Sequence, residues 1–192
     1  MKSKTIGTKT ISEGKFLKLV DINWQDNKNK IRKWEAVERT TGADIVLVIP
    51  ITNQDKTIFI EQFRPPVDRM VIELPARLCD EGESLENATL RELQEETGYQ
   101  AGKIRKLFTG PVSSRLSSEY LNVFLATNLV FVGKKDGREE KGITVYKIPI
   151  ETVYEWLDKK ETEGLLVDVK IRGLISYIKN ILKEVNGKYV GI

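Results

Sequence analysis

Glu83–Tyr99, ESLENATLRELQEETGY, packs five carboxylates and one arginine into a single stretch of 17 residues. Ser84 can cap a helix, Leu85 to Thr97 holds neither proline nor glycine, and Gly98 stops the run. At about 100° per residue, Glu92, Glu95 and Glu96 share about 100° of arc, and Leu90 and Leu93 fall on the neighbouring, core-facing arc. Glu92 and Glu96 stand one turn apart. Like charges at that spacing destabilise a helix by about a few tenths of a kcal/mol unless something positive lies between them. A hard divalent cation answers that need: magnesium takes carboxylate and water oxygens and keeps positions open for phosphates. The chain has no histidine to offer instead. The competing reading is an acidic, solvated helix face.

With 192 residues, 40% hydrophobic and 31% charged, the chain suits one globular domain of ordinary size with room for a small appendage. The net charge of +3 gives no global field toward nucleic acid or membrane, and no basic stripe interleaved with aromatics marks a nucleic-acid surface. A single cysteine, Cys79, rules out an internal disulfide framework and fits a reducing cytoplasm. No apolar run reaches the roughly 18 residues of a membrane span, and MKSKTIGTKT is neither a signal peptide nor an anchor. A soluble, cytoplasmic protein is expected.

Residues 5–41 read as an antiparallel meander of three strands, Ile6–Ile11, Lys15–Trp24 and Ile31–Thr41, with turn signals at Glu13-Gly14 and Asp26-Asn27-Lys28-Asn29. One face of so small a sheet needs cover from the main domain or a second subunit. Phe16 and Trp34 are either core residues or flat rings able to stack on a nucleobase. From Asp44 the composition changes. Ile45–Ile51 is a nearly continuous apolar strand, expected to pair with Thr57–Phe63 through the turn Asn53–Lys56. Arg64-Pro65-Pro66 ends that second strand and presents Arg64 at its tip. Val71–Pro75, Lys103–Thr109, Tyr120–Leu129 and Ile143–Ile148 read as further strands, and Val132–Gly142 as a glycine-punctuated loop. Glu151–Lys160 and Val169–Val185 read as amphipathic helices, the latter from Ile171, Leu174, Ile175, Ile178 and Ile181.

Glu83, seven residues, then Arg91-Glu92-Leu93-Gln94-Glu95-Glu96-Thr97-Gly98 resembles the Nudix box, the loop-helix signature of hydrolases that cleave a nucleoside diphosphate linked to another group. The segments EGKF, RKWEAVERTT, EQFRPP, ELPA, DEGE and LLVDVKI extend the resemblance to the ADP-ribose and ADP-sugar pyrophosphatase branch. The resemblance implies an α/β fold: a Nudix α/β/α sandwich on a mixed sheet over residues 43–192, preceded by a small antiparallel β domain over 1–42. It also implies a homodimer whose exchanged N-terminal domains contribute to each other's sites, and a nucleotide-sugar substrate. By the same resemblance Glu92 and Glu96 are the main ligands of Mg2+, with Mn2+ as the alternative ion, and Glu95 and the Ala76 carbonyl are further ligands. Arg91 positions the glutamates, Arg64 contacts the diphosphate, and Glu35 and Arg39 lie near the substrate. Trp34 and Phe16 become the rings that sandwich adenine.

Three positions depart from that pattern. Arg77 stands where the box begins with glycine, and is expected to carry about 1 kcal/mol of backbone strain. Ser114-Arg115 replaces Pro-Gly in a substrate-facing loop, and Lys141 stands where a loop glutamate acts as general base, so that Glu139 or Glu140 is expected to take the role. Arg77 and Arg115 are either solvated or new phosphate contacts. Three functions follow: an ADP-sugar diphosphatase, a hydrolase of another nucleotide sugar such as GDP-mannose, and a nucleotide-binding module with weakened catalysis.

Overall fold

The computed structural model describes residues 2–42, 44–134 and 142–186. Three strands, β1 (Lys4–Glu13), β2 (Leu17–Gln25) and β3 (Ile31–Arg39), form an antiparallel sheet in that order, as the alternation predicts. The β2–β3 turn is built by Asp26, whose carboxylate accepts the Lys28 and Lys30 amide protons and Arg32 Nε, each at 2.9 Å. Leu17 and Leu19 remain 46% and 38% exposed, so the sheet keeps these apolar side chains open within one chain.

β4 (Asp44–Pro50) and β5 (Lys56–Arg64) do not pair as the turn between them suggests. One bridge, Ile51 to Thr57, closes that turn, and the strands then enter different sheets. β4 lies between β7 (Ala76–Leu78) and β9 (Tyr120–Phe131), with β8 (Tyr99–Pro111) beyond β9. β5 lies between β10 (Thr144–Pro149) and β6 (Arg69–Glu73), with β11 (Leu166–Val167) parallel to β6. The reason is burial on both faces. Val46, Leu47, Val48 and Ile49 are at most 3% exposed and Ile58, Phe59 and Ile60 wholly buried, so each strand requires a central place, which two sheets supply separately.

Helices α1 (Leu85–Thr97), α2 (Val153–Thr162) and α3 (Lys170–Asn186) complete the fold. α3 buries Ile171, Leu174, Ile175, Ile178 and Ile181, the stripe read from its spacing. α2 buries Val153 and Leu157 and stacks Trp156 on Phe59, ring centroids 5.4 Å apart. Leu93 of α1 packs with Val48, Ile58, Ala126 and Leu129. Leu90, expected beside it, is instead 36% exposed, because the buried stripe of α1 runs through its carboxylates. Among the described residues no helix is long and apolar enough to cross a membrane.

The chain divides into two compact units: Met1–Leu47 with Arg77–Ala88 and Lys106–Val123, and Val48–Ala76 with Thr89–Arg105 and Phe124–Ile192.

Candidate functional site

Residues Thr89–Thr97 of α1, with Arg64, Glu73 and Ala76, belong to the second unit. Ser84 caps α1, its Oγ accepting the Asn87 amide proton at 3.2 Å and its carbonyl that of Ala88 at 2.9 Å. At the other end Gly98 takes φ +80°, and its N–H reaches the Gln94 carbonyl at 2.9 Å. Between these caps the buried positions are Ala88, Thr89, Glu92, Leu93, Glu96 and Thr97. Glu92 is 0% and Glu96 5% exposed, a placement that ionisable side chains take only when paired or coordinating. Arg91 Nη1 donates to Glu92 Oε1 and, at 3.4 Å, to Glu95 Oε2, so one guanidinium ties two carboxylates of the same helix together. Glu95 sits at the rim, its side chain 22% exposed. Among the described residues no three acidic, histidine or cysteine side chains form a ready metal cage.

Arg64 ends β5 as its prolines require. Glu73 on β6 engages it through Nε at 2.9 Å and Nη2 at 2.8 Å, and the same carboxylate oxygen accepts Gln62 Nε2 at 2.8 Å. Ala76 opens β7, and Arg77 follows it in extended backbone. Arg77 is not among the residues with positive φ, so the expected strain is absent: a strand beside β4, not a turn, occupies the place where the box has glycine.

Within the first unit, Trp34 and Phe16 are 42% and 64% exposed, which excludes the core reading for both. The Trp34 indole N–H donates to the Arg115 carbonyl at 3.0 Å, and Lys15 Nζ lies 5.2 Å from the centroid of the Phe16 ring. Trp34, Trp24, Ile22, Lys4 and Ser114 line a groove of about 390 Å³. Arg39 Nε donates to Glu119 at 2.6 Å, while Glu35 and the Arg115 side chain stand exposed. Glu139, Glu140 and Lys141 lie outside the described residues. Sequence reasoning missed Glu73 and Glu119. Glu73 is a lone acid at the end of β6 and Glu119 one just ahead of β9, and only the fold discloses which arginine each holds.

The NUDIX domain model matches residues 43–166. The chain is 33% identical over 185 residues to an ADP-ribose pyrophosphatase of Bacillus subtilis (strain 168), covering 96% of this chain and 95% of that one. It is 44% identical over 98 residues to an ADP-sugar pyrophosphatase of Mus musculus, covering 47% and 45% of the two chains. The crystal structure of an ADP compounds hydrolase shares the fold with a TM-score of 0.69 at 22% identity, over 81% of this chain and 84% of the other.

Proposed function

The chain belongs to the Nudix family, and from that premise we propose that it hydrolyses the diphosphate of ADP-ribose or a related ADP-sugar to AMP and a sugar phosphate. The observation that carries this reading is the buried carboxylate pair of α1: Glu92 and Glu96, one turn apart and at most 5% exposed, within the box spacing.

Their donor chemistry fits a hard divalent cation, Mg2+ or Mn2+, which binds through one or two carboxylates and fills its other positions with water and phosphate oxygens. Glu92 and Glu96 would hold it, with Glu95 and the Ala76 carbonyl as further oxygen donors. Such an ion neutralises diphosphate charge and lowers the pKa of bound water. Arg91 ties Glu92 and Glu95 into one orientation. Arg64 arrives already oriented, since Glu73 occupies Nε and Nη2 and leaves Nη1 as the donor for a diphosphate oxygen. Water attacks one phosphorus, the bridging P–O bond breaks, and AMP and the sugar phosphate leave. Glu139 or Glu140 takes the water's proton, replacing the glutamate that Lys141 displaces. Phe16 and Trp34, too exposed for core residues, are assigned to the base, and Glu35, Arg39 and Arg115 to polar contacts with the substrate. A cytoplasmic homodimer, with residues 1–42 as the exchanged N-terminal domain and 43–192 as the hydrolase domain, completes the reading.

The test is AMP release from ADP-ribose with and without Mg2+, for wild type and Glu96→Gln, with GDP-mannose alongside. Metal-dependent turnover that falls by about a hundredfold or more in the variant is expected, since the loss of a group stabilising transition-state charge has that size. Preferred turnover of GDP-mannose would move the substrate class. Tight ADP-ribose binding without turnover would replace hydrolysis by nucleotide sensing.

A further inference from the structure

The segment Ser113–Glu119 is stitched along β3. Its backbone makes a parallel bridge between Ser117 and Val37, with the Val37 N–H donating to the Leu116 carbonyl at 2.8 Å and the Ser118 N–H to the Val37 carbonyl at 3.4 Å. Ahead of that bridge the Trp34 indole N–H donates to the Arg115 carbonyl at 3.0 Å. Beyond it, Arg39 Nε donates to Glu119 Oε1 at 2.6 Å, and Ser117 Oγ donates to Glu119 Oε2 at 3.2 Å. The Glu119 carbonyl accepts the Val112 amide proton at 3.0 Å and shuts the segment at its base.

Glu119 thus carries three bonds at once. Its side chain is 16% exposed and that of Arg39 29%, so the pair is shielded enough to hold one geometry and open enough for Arg39 to meet a ligand. A planar guanidinium fixed through Nε by a carboxylate loses its rotational freedom and presents its terminal nitrogens in a set direction. Trp34 spends its only polar hydrogen on the Arg115 carbonyl, so its ring offers a stacking face and no donor.

On the functional reading above, we propose that Glu119 is the positioning residue for substrate recognition. Its carboxylate, steadied by Ser117, orients Arg39. Glu119 touches neither the reacting phosphorus nor the metal ligands in this scheme, so its loss acts on substrate binding and spares the chemical step.

Steady-state kinetics on ADP-ribose with Mg2+ for Glu119→Gln, Arg39→Ala, the double variant and the milder Ser117→Ala provide the test, with thermal melts to verify folding. KM rises about tenfold in Glu119→Gln with kcat within about threefold, the size expected for losing one charge-assisted contact. Ser117→Ala moves KM in the same direction by less. The double variant is no worse than Arg39→Ala alone, because Glu119 acts through Arg39. Independent, multiplying effects overturn the proposal, as does a fall in kcat at unchanged KM. A wild type that turns over ADP-ribose while Glu119→Gln matches it sinks the positioning role and leaves the hydrolase reading standing. A folded wild type without turnover sinks both.

Discussion

Gly98 closes α1 in a place that a residue with a side chain takes only under strain. Its φ is +80°, and a Cβ built there would lie 2.8 Å from Cε2 of Phe131, 3.2 Å from the Gly133 carbonyl carbon and 3.3 Å from the Lys134 nitrogen. Two of the three obstacles are backbone, and that backbone is tied down, with the Val132 and Gly133 amide protons reaching the Gly98 carbonyl at 2.9 and 3.1 Å. Gly98→Ala therefore carries two penalties. Left-handed backbone costs a side-chain residue about 1–2 kcal/mol, reduced by the roughly 0.4–1 kcal/mol that alanine removes from unfolded-chain entropy. Overpacking adds about 1–3 kcal/mol. The sum is about 2–4 kcal/mol, a fall in Tm of about 5–15 °C for a chain of this length. Gly164, just past α2, is the internal control: its φ is +91° with nothing within 4 Å of the added Cβ, so Gly164→Ala should lose only about 1 kcal/mol. Urea unfolding followed by circular dichroism measures both. Equal losses in the two variants would refute the packing half of the reasoning. Full rescue of Gly98→Ala by Phe131→Ala would show that the ring, not the backbone, sets the limit.

Three further outcomes are expected. Leu93→Ala empties a site at 0% exposure in the core beneath the carboxylates and should lose about 2–5 kcal/mol in urea unfolding, with the activity of the folded fraction retained. The Lys30 amide, then Arg32 and the Lys28 amide, hold the Asp26 carboxyl below its ordinary value. Its contribution is therefore full above the unfolded pKa and is lost as pH falls through the lowered one. Asp26→Asn should flatten the acid arm of stability against pH between about pH 5 and pH 2, read from urea midpoints. Glu73→Gln leaves Arg64 without its anionic partner, and should raise KM for ADP-ribose by about tenfold while Arg64→Lys added to it changes little more.

How much of this was legible beforehand depends on the range of each signal. Local signals carried: Ser84 as cap, Gly98 as stop, the α3 stripe from Ile171 to Ile181 and the three-stranded meander all follow from neighbours a few residues apart. Pairing did not carry. The turn at Asn53–Lys56 has the form of a hairpin, yet two strands that are apolar on both faces each need a sheet centre, and only the full set of strands decides which neighbours they acquire. Leu90 misled for a related reason. Periodicity locates a buried stripe but presumes it apolar, and here four of the six buried positions on α1 are Thr89, Glu92, Glu96 and Thr97. Arg77 misled because a missing glycine signals strain only if the backbone turns there, and β7 is extended.

That polar stripe explains why α1 is so firmly specified at its ends. A helix normally draws its stability in a fold from burying an apolar face, and α1 has only Ala88 and Leu93 to bury. Its remaining buried positions carry carboxylates and hydroxyls whose burial opposes folding unless they are compensated. Compensation comes from other sources: the Ser84 cap at one end, the left-handed Gly98 locked under Phe131 and Gly133 at the other, and Arg91 tying Glu92 to Glu95. These fixtures are ones a cation could not replace, since they fix the helix's length and register rather than neutralise its charge. Binding a divalent ion would then add stability without being needed for the fold, and Glu92 and Glu96 would be held ready for it before it arrives.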